Sequence, residues 1–571
     1  MLGRSAAGGF AAVRVAADGS QRAPEPVPRA QLHDFVAALE AAEAPRWVWH
    51  STAALYPELL AAGIRVERCH DLRLCHQILA NSAFVREPGE LRSAAQWDAP
   101  PPLPEVSHGP AAPALFDLEA SPEQSDAPAA LDEVLREFAR QRAAVDASAQ
   151  PGRLSLLLAA ESAGALVAVE LAEAGIPWDT AEHDRILAEE LGPRPDAADA
   201  KPTKLIEAGA LVRDALGDQS VSLDSPPKLL RALRAAGIEV SSTSQWELTE
   251  HEHPAIAPLL TYKRLARLLS ANGWAWLDEW VEDGRYRPVY VPGGVVTGRW
   301  ASSGGGALQL PRMLRPALRA DPGWLLVSAD VSQLEPRVLA AMSGDRAMAA
   351  AGRGRDLYSG IVESGSIESR ADAKLAMLGA MYGATSGDSG RLVPKLRRAF
   401  PSAMGLVDDA AGVGERGGTV STWLGRSSPP PEAEWREVQS AASLPGATRR
   451  DEDLARRTAR DRGRFTRNFV VQGTAAEWAL AWLADIRRGL ASFPPVAEAA
   501  AASASGPSFS RRPHLAFFLH DEIIVHSPRE HAEAVAEVVR ASADTAARLL
   551  FGSGTVDFRL DLRISERADK D

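Results

Sequence analysis

At 571 residues, 46% of them apolar, the chain is too long for one ordinary domain and carries enough apolar material for three or four. No apolar run reads as long enough to span a bilayer, and Met1-Leu2-Gly3-Arg4 leads into nothing like a signal peptide, so a soluble, cytoplasmic protein with no membrane partner is expected. Two cysteines, Cys69 and Cys75, exclude a disulfide framework, and a net charge of −12 argues weakly against a nucleic-acid partner, because phosphates are met by Lys and Arg.

In chain order, the N-terminal stretch mixes short apolar runs (Phe10 to Val15, Trp47 to Trp49) with helical patterns, a small α/β arrangement. Residues 98–130, rich in Pro, Ala, Ser and Asp, predict a linker. From Leu131 to Trp280 the pattern is helical: Leu229, Leu230, Leu233 and Ile238 recur at helix spacing, as do Leu259, Leu260, Leu265, Leu268 and Leu269. Strands are predicted at Tyr286 to Val291 and Trp324 to Val327, then helices over 333–400, a break at Pro429-Pro430-Pro431, and another helix from about Asp451 to Leu490. The Ala/Ser-rich piece from Ala497 to Ser508 reads as a loop or a loose helix end. The chain closes with strands Leu515 to Leu519 and Ile523 to His526 around a polar turn, a helix near Glu530 to Leu550, and a strand near Val556 to Ile564.

Charge is not spread evenly. Between Arg449 and Arg467 lie eight arginines against Asp451, Glu452, Asp453 and Asp461. That strip is either a phosphate-tracking surface or a solvated helix face.

Two strand ends place carboxylates. Trp324 to Ala329 reads as a buried strand ending in Asp330, with Pro336 suited to the first turn of the helix that follows. Leu519-His520-Asp521-Glu522-Ile523 sits between two apolar runs, the pattern of a hairpin whose tight turn displays the polar residues. In one sheet, Asp330 and Asp521 share a face and can hold two Mg²⁺ roughly 3.5–4 Å apart for phosphoryl transfer. Taken singly, either aspartate also fits an ordinary turn. A third segment, Ser369 to Gly383, reads as a helix with Ser369 and Asp372 as a capping box. Arg370, Lys374, Leu378 and Tyr382, four apart, line one stripe: cations for a triphosphate, then apolar and aromatic groups for sugar and base, or simply the solvent face of an amphipathic helix.

Together these segments resemble the family A (DNA polymerase I-like) DNA polymerases. Asp330-Val331-Ser332-Gln333-Leu334-Glu335-Pro336-Arg337 is similar to that family's motif A, Arg370 to Gly383 to motif B, and His520-Asp521-Glu522 to motif C. In the same order come Thr297-Gly298-Arg299 with Leu308-Gln309-Leu310-Pro311, then Gly418 to Arg426, then Asn468 with Gln472-Gly473-Thr474-Ala475-Ala476-Glu477. Tyr262-Lys263-Arg264-Leu265 resembles a helix of the family's thumb. The resemblance implies an α/β (α+β) multidomain protein with a right-hand fold: thumb at 131–290, palm at 291–345 and 441–571, fingers at 346–440. It implies Asp330 and Asp521 as catalytic metal ligands with the Val331 carbonyl, and Glu522 in support. Two Mg²⁺ ions are implied as cofactors, with Mn²⁺ as a substitute. Gln333, Glu335, Arg370, Lys374, Leu378 and Tyr382 would bind the nucleotide, with Glu335 as the gate against a ribose 2′-OH. Arg299, Gln309, Arg464, Asn468, Gln472 and His520 would meet primer or template. Primer–template DNA and dNTPs are the implied partners of a monomeric, nucleoid-associated enzyme of replication or repair. The sequence departs from the pattern at Leu378, Val331 and Pro336, and at Asp356-Leu357-Tyr358, where relatives carry D-I-H.

Residues 1–130 read as a degenerate 3′→5′ exonuclease-like domain with its linker. Its first strand is read as Phe10 to Asp18 without a D-x-E, the segment after His50 lacks an aspartate, and His70-Asp71-Leu72-Arg73-Leu74 only faintly resembles a D-T-x-L stretch. Cys69-His70 and Cys75-His76 do not match common zinc spacings. Two other readings stay open: a catalytically silent DNA-binding relative, and a nuclease.

Overall fold

The computed structural model describes residues 1–568 apart from 17–18, 101–126, 198–199, 307–309, 384–386 and 555. Asp18 and Gln309, and most of the expected linker, therefore lie outside the described residues.

The chain opens with strands β1 (Leu2–Arg4), β2 (Phe10–Ala12) and β3 (Glu25–Val27), antiparallel in the order β1-β2-β3. The expected first strand from Phe10 is thus the second. A three-residue strand such as β1 is too short for alternation to register in sequence. Helix α1 (Leu32–Glu43) leads to β4 (Arg46–Trp49), α2 (Thr52–Ala61), β5 (Arg68–Asp71) and α3 (Leu72–Asn81). β4 and β5 pair in parallel, with Trp49 opposite Asp71, and α2 supplies the crossover that a parallel pair requires. Trp47, Trp49 and Tyr56 stack successively at 6.4 and 6.3 Å to form the centre of this domain's core.

Helix α4 (Leu131–Asp146) packs on β1, β4 and α3, and α5 (Pro151–Ala174) follows. α5 corrects one expectation: at 24 residues it is long and apolar enough to cross a membrane by length and composition. Its six leucines and two valines are interspersed with seven alanines, and glutamates interrupt the apolar pattern. It is the core helix of the assembly, mostly buried, with Glu161 paired to Arg426 and Glu170 to Arg65 and Arg487. Glu170 ties three regions together, because Arg487 also donates to the carbonyls of Val66 and Glu67 in the N-terminal domain. Burial opposes ionisation of Glu170, but the two guanidiniums draw its acid down to about 2.

Helix α6 (Ile256–Asn272) buries Leu259, Tyr262, Leu265 and Leu268, the stripe that its leucine spacing predicts. The strand expected over Tyr286 to Val291 is two fragments in different sheets, Arg285–Tyr286 and Tyr290–Val291. Pro288 lies between them and has no N–H to give a ladder.

The central sheet has four antiparallel strands. β6 (Trp324–Val331) is followed by α7 (Leu334–Ser343), α8 (Leu357–Glu363), α9 (Arg370–Tyr382), α10 (Pro401–Glu415) and α11 (Arg449–Ala491). Then come β7 (His514–Leu519), β8 (Glu522–Pro528), α12 (Ala532–Phe551) and β9 (Leu560–Ser565). The strand order is β7-β8-β6-β9. α11 runs 43 residues, about 65 Å at the helical rise, from a reciprocal Thr448–Asp451 capping box. Its first turns expose six of the eight arginines of the strip, whereas Arg462 is half-buried and Arg467 is buried against Asp408 and the Ala380 carbonyl, and from Phe469 to Leu490 the helix is largely buried.

Candidate active site

The carboxylates meet because of register. β6 and β8 pair so that Asp330 lies opposite Glu522, one residue beyond the turn that holds Asp521. The Val331 N–H donates to the Asp521 carbonyl at 2.9 Å and ties the strand end to that turn. The turn is tight: Leu519 pairs with Glu522, and His520 takes a φ of 55° at the first turn position, as two-residue hairpins require. Burial, and then the neighbouring Asp330, push the acid of Asp521 up to about 6. Two carboxylates this close are negative charge in need of a counter-cation, and hard oxygen donors suit Mg²⁺. Among the described residues no group of three or more His, Cys, Asp or Glu converges as a self-sufficient metal cage. The donor set thus fits an ion that completes its shell with water and substrate oxygens.

Glu522 is placed differently. Both of its oxygens accept from Arg315, at 2.5 and 2.7 Å, in a buried bidentate pair. It braces the turn from behind, and Arg315 is a partner that no sequence motif announced.

α9 faces this pair of strand ends. Ser369 caps it by accepting from Asp372 N–H, while the Asp372 carboxylate takes the Ser369 hydroxyl at 2.8 Å rather than a backbone N–H, so half of the expected box forms. Arg370, Lys374 and Tyr382 are exposed and Leu378 is half-buried along one side of the helix. Arg370 is not idle: it forms a bidentate pair with Asp356 (Nη2–Oδ2 2.7 Å, Nε–Oδ1 3.2 Å) and lies 5.6 Å from the Tyr358 ring. Asp356 also caps α8 through Ser359 and accepts from Gln333 at 3.0 Å. Gln333 itself sits in the left-handed region at φ 54°, a strained conformation for a non-glycine residue, at the bend from β6 into α7. Its side chain is fixed at both ends, by Asp356 and by Leu357 N–H.

Between α7, α9 and the hairpin lies a cavity of about 300 Å³, lined by Arg299, Gln333, Glu335, Leu378, Tyr382, His520 and Asp521 among others. Glu335 is held across it by an ion pair with Arg299 and by the Tyr382 hydroxyl at 3.1 Å. Burial, and next Arg299, keep the His520 ring neutral, with its pKa lowered to about 4. Arg464 pairs with Asp461 on the exposed side of α11 and packs on Gly383, where a Cβ would stand 2.7 Å from Arg464 Cγ. Asn468 is half-buried on the same helix.

Other matched motifs knit the scaffold. The Thr297 hydroxyl donates to Gln472 at 2.9 Å, and a Cβ on Gly473 would stand 2.4 Å from Thr422 Cγ2. Glu477 accepts from Leu424 N–H at 2.9 Å and from the Thr422 hydroxyl, and Trp423 N–H donates to Thr474 at 3.0 Å. Arg337, fully buried, donates to the carbonyls of Ser332, Gly352, Arg355 and Asp557, which fixes the start of α7.

This arrangement has known counterparts. A family model described as "DNA polymerase family A" matches residues 214–568. The chain belongs to DNA polymerase family A. It is 28% identical over 363 residues to DNA polymerase I of Chloroflexus aurantiacus, covering 59% of this chain and 34% of that protein. It is 27% identical over 337 residues to the thermostable DNA polymerase I of Thermus aquaticus, covering 53% and 36%. The chain thus spans about a third of the length of these curated relatives. Its fold is that of the POL domain of Pol1 from M. smegmatis, a structure in complex with DNA primer-template and dNTP: TM-score 0.67 at 19% identity, over 97% of this chain and 92% of that one. The family A chain is accordingly a mixed α/β multidomain polymerase fold preceded by an N-terminal α/β domain.

Proposed function

We propose that this family A protein is a DNA-directed DNA polymerase that adds dNMP units to a primer 3′-OH on a template strand, in DNA replication or repair. The observation that carries the reading is the meeting of Asp330 and Asp521 at adjoining strand ends, opposite a helix that presents Arg370 and Lys374. Two Mg²⁺ ions, with Mn²⁺ as a substitute, would be held by Asp330, Asp521 and the Val331 carbonyl, and would neutralise charge on the attacking and leaving oxygens. Lys374 and Arg370 bind the triphosphate, Arg370 by exchanging Asp356 for phosphate oxygens. The primer 3′-oxygen attacks the α-phosphorus and pyrophosphate leaves toward these cations. Glu335, clamped by Arg299 and Tyr382, stands where a 2′-OH would sit. Gln333 and Leu378 complete the nucleotide pocket. Arg299, Gln309, Arg464, Asn468, Gln472 and His520 contact primer, template or the new pair, and Glu522 braces the turn.

In this reading 131–290 is the thumb, 291–345 and 441–571 the palm, and 346–440 the fingers. Residues 1–130 form an exonuclease-like domain that does not proofread. Support comes from Asp71: its two oxygens accept from Thr52 N–H at 2.6 Å and Leu74 N–H at 2.9 Å, and it is 1% exposed, which suits a helix cap rather than a metal ligand. Primer extension with Mg²⁺ and four dNTPs tests the whole. Template-dependent growth is expected. DNA binding without growth would replace this reading with a silent relative, and shortening alone would replace it with a nuclease.

A further inference from the structure

A cavity of about 880 Å³ lies between the N-terminal domain and α5, and shares no lining residue with the cleft of Asp521 and Glu335. Its volume is that of an ordinary small-molecule site. One wall is apolar, built from Ala165, Ala168 and Val169 of α5 with Tyr290. The charged lining is lopsided. Its acids are Glu58, which pairs with Arg29 at 2.9 Å, Asp71, which caps α3, and Glu173. Arg4 and Arg73 also reach it. Arg73 is 4% exposed, and its Nε has no hydrogen-bond partner among the described residues. The nearby Glu161 gives one oxygen to Arg426 at 2.7 Å, and its Oε1 has no hydrogen-bond partner among the described residues. A buried guanidinium short of hydrogen-bond partners is costly, and an anion bound in the cavity offsets that cost.

We propose that this cavity is a binding site for a phosphate monoester with a compact apolar body, the phosphate on Arg73 and Arg4 and the body against the alanine wall. Guanidinium forks match phosphate oxygens two at a time, and they need no metal to do so. The site is independent of the polymerase reading, since none of its residues serves that chemistry.

Calorimetric titration of the full chain with dAMP in EDTA tests it, with deoxyadenosine as control. Saturable binding of dAMP and none of deoxyadenosine is expected. Arg73→Gln should weaken dAMP by about tenfold or more, the scale of one lost charge-assisted contact. Ala54→Trp, at an exposed lining position, keeps Arg73 and should block entry even if the first variant fails to fold. No saturable heat with dAMP overturns the proposal, as does binding that survives unchanged in Ala54→Trp, or deoxyadenosine binding as tightly as dAMP.

Discussion

Two cavities back onto one another in this molecule. Tyr290 walls the N-terminal one, and its ring meets Trp300 at 5.5 Å; Trp300 meets Phe518 at 4.9 Å, and both of these line the cleft of Asp521. Each cavity has an aspartate where a strand gives out: Asp71 is the last residue of β5, and Asp521 sits in the turn after β7. Asp71 spends both oxygens on backbone N–H groups, while Asp521 sits beside a second carboxylate and has its acid driven up to about 6 by burial and that neighbour. The difference teaches that position at a strand end does not make a metal ligand. What matters is whether another carboxylate converges on the first.

The comparison breaks most sharply at Asp330 and Asp521. Asp330→Ala or Asp521→Ala should lower primer extension on the order of 10³-fold, the upper scale for losing one preorganised electrostatic contact, while DNA binding by mobility shift stays near wild type. Extension near the wild-type rate would mean that these carboxylates are as structural as Asp71.

A buried pair behind the turn sharpens the point. Arg315→Met takes the guanidinium away from both oxygens of buried Glu522, and should cost about 3–5 kcal/mol in denaturant unfolding. Arg315→Met combined with Glu522→Met should recover most of that loss, because paired apolar replacements of buried ion pairs are close to neutral. A single-variant cost below about 1 kcal/mol would show that the pair does not brace the hairpin.

At the gate, Glu335→Ala should raise ribonucleotide incorporation relative to dNTPs on the order of tenfold or more. It removes the carboxylate clamped by Arg299 and Tyr382. Unchanged discrimination in single-nucleotide kinetics would move the gate elsewhere in the pocket. On the N-terminal side, Asp71→Ala should cost about 1–3 kcal/mol by uncapping α3 and leaving Thr52 N–H unpaired. A labelled primer with a 3′ mismatch, given Mg²⁺ and no dNTPs, should stay full length with wild type and variant alike. Shortening by wild type that Asp71→Ala abolishes would make Asp71 a ligand after all.

Sequence made legible what is local. The Arg370–Tyr382 stripe, the Ser369 cap, the tight hairpin and the stripe on α6 all follow from spacing within a few turns. Long-range partners were hidden. Arg315 and Glu522 lie 207 residues apart, and Arg487 closes on Glu170 across 317. Asp356 drew attention only as the start of a segment that departs from D-I-H, yet it gathers Gln333, Arg370 and Ser359 in one place. The three-residue β1 and the fragments around Pro288 fell below the length at which alternation has meaning. The N-terminal cavity was invisible for a related reason: Arg73 reads as a helix residue until the packing of α5 buries it.

The smallest effect separates a third kind of carboxylate, buried but neither capping a helix nor facing a ligand. Glu477 lies on α11, and burial pushes its acid up to about 7 despite the Thr422 and Leu424 hydrogen bonds; Arg426 opposes the shift and Glu161 adds to it. Its folded pKa is therefore above the ordinary 4.5. Between those two values the folded state keeps a proton that the unfolded chain releases. The stabilising contribution is full below pH 4.5, and falls as pH rises until it is lost by about pH 7. Glu477→Gln carries its amide protons at every pH. The amide oxygen can accept from Leu424 N–H, and the NH₂ can donate to the Thr422 hydroxyl. The variant should lose part of the drop in thermal midpoint that wild type shows between pH 5 and pH 8, by a few degrees in a chain of this size. Equal midpoint drops for the two proteins would mean that Glu477 is ionised in the fold, with Arg426 near enough to hold it so.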